Sequence, residues 1–201
     1  QVGFVVSPKN TKASARLEMA GGEFCGNALR ALGVLAEKET GTKKILLETS
    51  TSDTPLIVTV GAETSTVTLP LSFFSQRNNI CHLPGISHTY TLDTIDKKIA
   101  KQILSDTGLI NKKAAGVLSY KKLKKNTYSL SPFVWVNDIR TLYEETACAS
   151  GTFALAYMLF KKEGLRKIAV HQVSGSTFQV QLKADSISLT GPKGAAIRHS
   201  I

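Results

Sequence analysis

Apolar residues fall along this chain in two patterns. Short runs of about four to eight residues, alternating or continuously apolar and bounded by turn-forming residues, read as strands. They occur at 1–6, 16–19, 44–48, 55–60 and 66–69, and again at 90–92, 115–120, 128–136, 139–143, 167–170, 177–182 and 186–189. Ser7-Pro8-Lys9-Asn10, Gly61-Ala62, His82-Leu83-Pro84-Gly85 and Val173-Ser174-Gly175-Ser176 read as the turns between them. Two longer runs, 28–36 and 153–160, are apolar on almost every side and end in charged residues followed by Gly41 and Gly164. Both read as helices closed by a left-handed glycine. Residues 94–104 read as a third, amphipathic helix, with Ile95, Ile99, Ile103 and Leu104 on one face.

The two apolar helices belong to a duplicated pattern. Cys25 maps to Cys148, Ala31-Leu32 to Ala154-Leu155, Gly41 to Gly164 and Ile45 to Ile168, all at an offset of 123. Val67-Thr68-Leu69-Pro70 then echoes Leu189-Thr190-Gly191-Pro192 with one residue of slippage. A match of cysteine, helix length, terminal glycine and following strand indicates an internal duplication.

A helix that is apolar all round must be buried all round, and the simplest cover is the unit's own sheet. The expected fold is therefore α+β, with two pseudo-symmetric units, each a curled, mostly antiparallel sheet around a central buried helix. The first unit is expected over 1–76 and the second over 77–192, with a strand at 193–201 returning to the first. About 70 residues precede the cysteine in the second unit and only 24 in the first. By this comparison roughly 45 further residues are expected before Gln1.

Composition narrows the setting. No apolar run approaches the roughly 18 residues of a membrane span, and no secretory signal is visible. Three cysteines do not suggest a disulfide framework, so a reducing, cytoplasmic location is expected. The net charge of +10 comes largely from Lys97-Lys98, Lys112-Lys113 and the lysines of 121–125. With no nucleic-acid module beside them, they read as a solvated surface rather than a phosphate-binding one.

The candidate chemistry lies at Cys25 and Cys148, each at the start of an apolar helix. A thiol there meets the unpaired N–H groups of the first turn and the positive end of the helix dipole, and a depressed pKa is the expectation. Two such helices meeting end to end would place two thiols about one carbon, with backbone N–H groups to hold a carboxylate. One thiol would remove a proton and the other return it on the opposite face. Cys81 has no duplicated counterpart and reads as structural. His82, His88 and His171 show no metal-ligand spacing with the cysteines, and His199 carries no signal, so no metal is expected.

Gly-Glu-Phe-Cys-Gly-Asn-Ala at 22–28 and Ala-Cys-Ala-Ser-Gly-Thr at 147–152 resemble the two cysteine boxes of the diaminopimelate epimerase superfamily of cofactor-independent amino-acid racemases and epimerases. Gln1-Val2-Gly3-Phe4, Gly21 with the first box, and Val170-His171-Gln172 are most similar to its histidine racemase branch. The resemblance implies Cys25 and Cys148 as the two bases and carboxylate binding around Gly26, Asn27, Ala149 and Ser150. It also implies substrate contacts from Gln1 and Glu144, no cofactor, and a homodimer. The chain departs from the epimerase pattern at Tyr143-Glu144-Glu145-Thr146, which lacks the arginine that grips the distal end of diaminopimelate, at Gly85-Ile86-Ser87-His88, and at Ala149 in place of glycine. A racemase, of histidine by the closer likeness, is the primary reading, with diaminopimelate epimerase as the alternative. A single-cysteine thiol hydrolase and a non-catalytic binder of small anions are the readings from other classes.

Overall fold

The structure, a computed structural model, describes residues 2–193. Gln1 and the strand expected at the C-terminus lie outside the described residues, apart from Lys193. The first half runs β1 (Gly3–Val6), β2 (Ala15–Met19), α1 (Gly26–Thr40), β3 (Lys44–Thr49), β4 (Ser52–Val60) and β5 (Thr64–Pro70). The second runs β6 (Ser75–Arg77), β7 (Ile80–Leu83), β8 (Ile86–Thr91), α2 (Lys97–Asp106), β9 (Ala114–Lys124), β10 (Thr127–Val136) and β11 (Thr141–Glu144). It closes with α3 (Ala149–Glu163), β12 (Lys167–Gln172), β13 (Thr177–Leu182) and β14 (Ser186–Pro192).

The fold is α+β and rich in sheet. Strands pair in the order β1-β2-β3-β4-β5-β14-β13-β12-β10-β9-β8-β7-β6, with β11 on β10. Pairing is mostly antiparallel. The parallel pairs β2/β3, β8/β9 and β10/β12 are each bridged by a helix, respectively α1, α2 and α3, because a parallel neighbour cannot be reached by a tight turn. The halves join where β14 lies antiparallel to β5. Arg30 of α1 reinforces this seam. Its guanidinium donates to the carbonyls of Ser65 (3.2 Å) and Pro192 (2.7 Å) and lies over the Phe178 ring.

α3 is buried along residues 149–156 and again at Met158 and Leu159, as an all-apolar helix requires. α1 is less enclosed than expected: Leu29, Leu32 and Val34 are buried, while Asn27, Ala28, Ala31 and Leu35 are half-buried. Its last turn, 38–40, is exposed. β1 beyond it is also exposed on every residue. The short strands β6 and β7 and the start of β8 were not legible as strands. Ser75-Gln76-Arg77 carries no apolar signal, and Gly85 was read only as a turn. That turn needs its glycine, because φ there is +79° and a Cβ would lie 2.6 Å from the Thr51 methyl. No helix among the described residues is long and apolar enough to cross a membrane.

Candidate active site

α1 and α3 begin in the same way. Cys25 and Cys148 are their N-caps, with extended backbones (φ −124°, ψ 100° and φ −130°, ψ 105°). Each sulfur accepts from the N–H three residues on, Ala28 or Gly151, at 3.4 Å. This is the bond a serine or aspartate cap normally accepts. The first helical carbonyl-to-amide bonds are Cys25 to Leu29 and Cys148 to Thr152. The N–H groups of Gly26, Asn27, Ala149 and Ser150 thus have no intrahelical partner. Both helices end at left-handed glycines, Gly41 (φ 70°) and Gly164 (φ 69°), as the sequence pattern predicts.

The two helix starts touch. A Cβ built on Gly26 would lie 2.9 Å from the Ala149 Cβ, so one of these two positions must be glycine at this approach. Asn27 crosses between the halves, its Nδ2 donating to the Ala147 carbonyl at 2.9 Å. Cys25 and Cys148 line one narrow cleft together with Gly26, Asn27, Ala149 and Ser150. Six of the eight residues nominated from sequence therefore meet. Gln1 lies outside the described residues. Glu144 does not enter the cleft: it is exposed and accepts from the Ser131 hydroxyl at 2.9 Å. Its neighbour Glu145 lines the cleft instead, because successive side chains of an extended segment point to opposite faces.

Four further residues shape the site without having been nominated. Glu23 and Glu145 line its wall. Gln172 holds Cys148 from behind, its Oε1 accepting from the Cys148 N–H and its Nε2 donating to the Thr152 hydroxyl, both at 3.0 Å. His88 is fully buried and reaches the Ser150 hydroxyl through Nε2 (3.1 Å), while that hydroxyl lies 3.4 Å from the Cys148 sulfur. Burial pushes the His88 pKa down to about 3, so the ring is neutral. The "EFC" and "VHQ" contexts carried Glu23 and Gln172, but nothing local in the sequence says which face of a strand meets the cleft. Cys81 is buried away from the cleft. No group of His, Cys, Asp and Glu among the described residues is arranged to hold a metal ion.

The electrostatics correct the expectation of a thiolate. Burial pushes the Cys25 thiol up to about 12, with the charges of Glu145 and Glu23 adding to it and the Ala28 N–H opposing. Cys148 is raised further by burial and then by Glu145, against smaller help from Ser150 and Gly151. For Cys25 the rise corresponds to roughly 4 kcal/mol against the thiolate. A helix terminus supplies at most about 2 kcal/mol, so burial wins and both groups are held as thiols. Alkylation of Cys25 is therefore expected to be about 10²-fold slower at pH 7 than that of a free cysteine. This allows for a thiolate that is scarcer but intrinsically more nucleophilic. The rate, followed by mass spectrometry of the Cys25 peptide, should still be climbing at about pH 10; a plateau below about pH 8 would show that the helix terminus dominates.

Comparison with known proteins bears first on the fold. Two solved structures share the fold: a PhzC/PhzF-type putative phenazine biosynthesis protein of Clostridium difficile and a PhzF family protein of Enterococcus faecalis. The TM-scores are 0.60 and 0.57, each at 14% identity. They cover 99% and 94% of this chain, and 82% and 78% of their own. The fold is thus the sheet-rich α+β type that these PhzF structures share.

Sequence similarity is more specific. Residues 1–78 match the family described as the histidine racemase CntK N-terminal domain. Histidine racemases from two strains of Fusobacterium nucleatum subsp. nucleatum are 26% identical over 216 residues, spanning 96% of this chain and 77% of theirs. The likeness to the histidine racemase branch, carried in sequence by Gln1-Val2-Gly3-Phe4, Gly21 with the first cysteine box, and Val170-His171-Gln172, is borne out.

Proposed function

We propose that the protein is an amino-acid racemase acting on histidine, with Cys25 and Cys148 as its two acid–base groups. The observation that carries this reading is that both thiols cap equal-length helices and open into one cleft. In this mechanism the substrate carboxylate takes the first-turn N–H groups of Gly26, Asn27, Ala149 and Ser150. The α-carbon lies between the sulfurs. One sulfur takes the α-proton while the other thiol delivers its own to the opposite face. The N–H groups and both helix termini stabilise the carbanionic charge that develops. Because burial keeps both thiols protonated, the working base loses its proton as substrate enters, with the substrate ammonium offsetting the thiolate charge.

The duplication supports facing thiols. In the β5/β14 ladder Val67 pairs with Leu189, its own counterpart in the duplicated pattern. Gly26 and Ala149, counterparts at the offset of 123, also meet. Two contacts between equivalent residues are what a pseudo-twofold axis between the units requires, and such an axis would present the cysteines symmetrically.

Diaminopimelate suits the site less well. Among the described residues the cleft and the cavity beside it are lined by Glu23 and Glu145 and by no arginine or lysine, so the distal carboxylate of that substrate would meet like charge. A thiol hydrolase is disfavoured because His88 reaches Cys148 only through Ser150, and its Nδ1 has no partner to orient it among the described residues.

The test is incubation of the dialysed protein with L-histidine in deuterated water, read by chiral chromatography and mass. D-Histidine carrying one α-deuterium is expected, without pyridoxal phosphate and in the presence of chelator. Loss of activity on dialysis that added metal or cofactor restores would sink the two-thiol mechanism.

A further inference from the structure

A cavity of about 420 Å³ adjoins the thiol cleft and shares Glu23, Glu145 and Val134 with it. This cavity gives the side chain of a substrate whose α-carbon sits between the sulfurs a path past these residues. Most of the cavity wall is apolar, from Val134, Val136 and Ile139. Two polar atoms in it stand out. Glu23 is only 5% exposed, and its Oε2 has no hydrogen-bond partner among the described residues. The Thr141 hydroxyl, in the same lining, is likewise buried and unpartnered.

A buried carboxyl oxygen without a partner is costly, and its position is specifically accommodated. A Cβ on Gly21 would lie 2.6 Å from that oxygen and 2.6 Å from the Val136 side chain, so glycine there makes room for the carboxyl. A ligand that brings an N–H to this point recovers the cost.

We infer that Glu23 is a specificity-determining residue that reads the substrate side chain, selecting a flat, N–H-bearing heterocycle of the imidazole class, with Thr141 as a second polar contact. That the ligand is a substrate rests on the racemase reading above. An imidazole offers an N–H in both its neutral and cationic forms, and its ring matches apolar walls. An aliphatic side chain leaves Glu23 and Thr141 unsatisfied. A side chain ending in a carboxylate is repelled by Glu23 and Glu145. A bond to a buried carboxyl is of the stronger, charge-assisted kind.

The experiment measures the Kd of L-histidine by calorimetry and its inversion by chiral chromatography on the same samples. The samples are the wild type, Glu23→Gln, Glu23→Asp and Thr141→Val. Glu23→Gln is expected to weaken binding about 30- to 100-fold. Glu23→Asp, which keeps the carboxyl at a shorter reach, should lose about 10-fold and Thr141→Val about 3- to 10-fold. If Glu23→Gln does not fold, the aspartate variant decides. Glu23→Gln or Glu23→Asp binding within about threefold of wild type, or equal losses in the two, overturns the assignment. Glu23-dependent binding without inversion would keep this subsite and remove the racemase. Inversion of histidine that ignores Glu23 would do the reverse, and a wild type that neither binds nor inverts histidine removes both.

Discussion

Cys25→Ala and Cys148→Ala are each expected to reduce inversion of the α-carbon by about 10³-fold or more, and Cys81→Ala to leave it within about twofold. The first two sulfurs line the cleft, and the third is buried elsewhere. Removing one of two bases does more than slow the reaction. Each enantiomer exposes its α-hydrogen to a different sulfur. The single variants are therefore expected to retain slow α-hydrogen exchange for opposite enantiomers while inverting neither. Proton NMR of D- and L-histidine in deuterated water reads this directly. Substantial inversion by either variant, or exchange of the same enantiomer by both, would exclude two facing thiols. Alanine at either position also removes a helix cap, which costs about 1 kcal/mol. Thermal unfolding of each variant separates that loss from the catalytic one.

Mild oxidation is expected to inactivate the protein completely by joining Cys25 to Cys148. Gly26 and Ala149 are already in contact, each one residue beyond its cysteine, so little movement is needed to bring the Cα atoms within the roughly 7 Å a disulfide requires. The buried, protonated thiols set the conditions. Oxidation proceeds through the thiolate, so it is expected to be slow at pH 7 and to quicken steadily with rising pH, in step with alkylation of Cys25. Histidine between the sulfurs should protect them. Peptide mapping without reductant should show the Cys25–Cys148 link, and added thiol should restore activity. A link involving Cys81, or no protection by histidine, would contradict the facing geometry.

The local features of this protein are legible along the chain. The 3.6-residue apolar runs after Cys25 and Cys148 and the glycines at 41 and 164 are signals read within one or two turns of helix, and both helices form where the pattern placed them. The constant offset between the two cysteine boxes identified the residues that converge before any contact was known. Only the tertiary structure decided what those residues experience. The thiols were expected to be acidic because the helix terminus is a local feature, but they are held protonated because desolvation depends on everything packed around them, and the charges of Glu145, from before the second box, and Glu23, within the first, add to it at Cys25. The choice of Glu145 over Glu144 likewise turns on the facing of a short segment at the end of β11, whose register is set by its pairing with β10. The weakly patterned strand β7 exists because β8 offers it an edge, and β6 pairs in turn with β7. A strand pattern records what one segment can do; which face it turns to the cleft, and how dry that cleft becomes, is fixed by its neighbours.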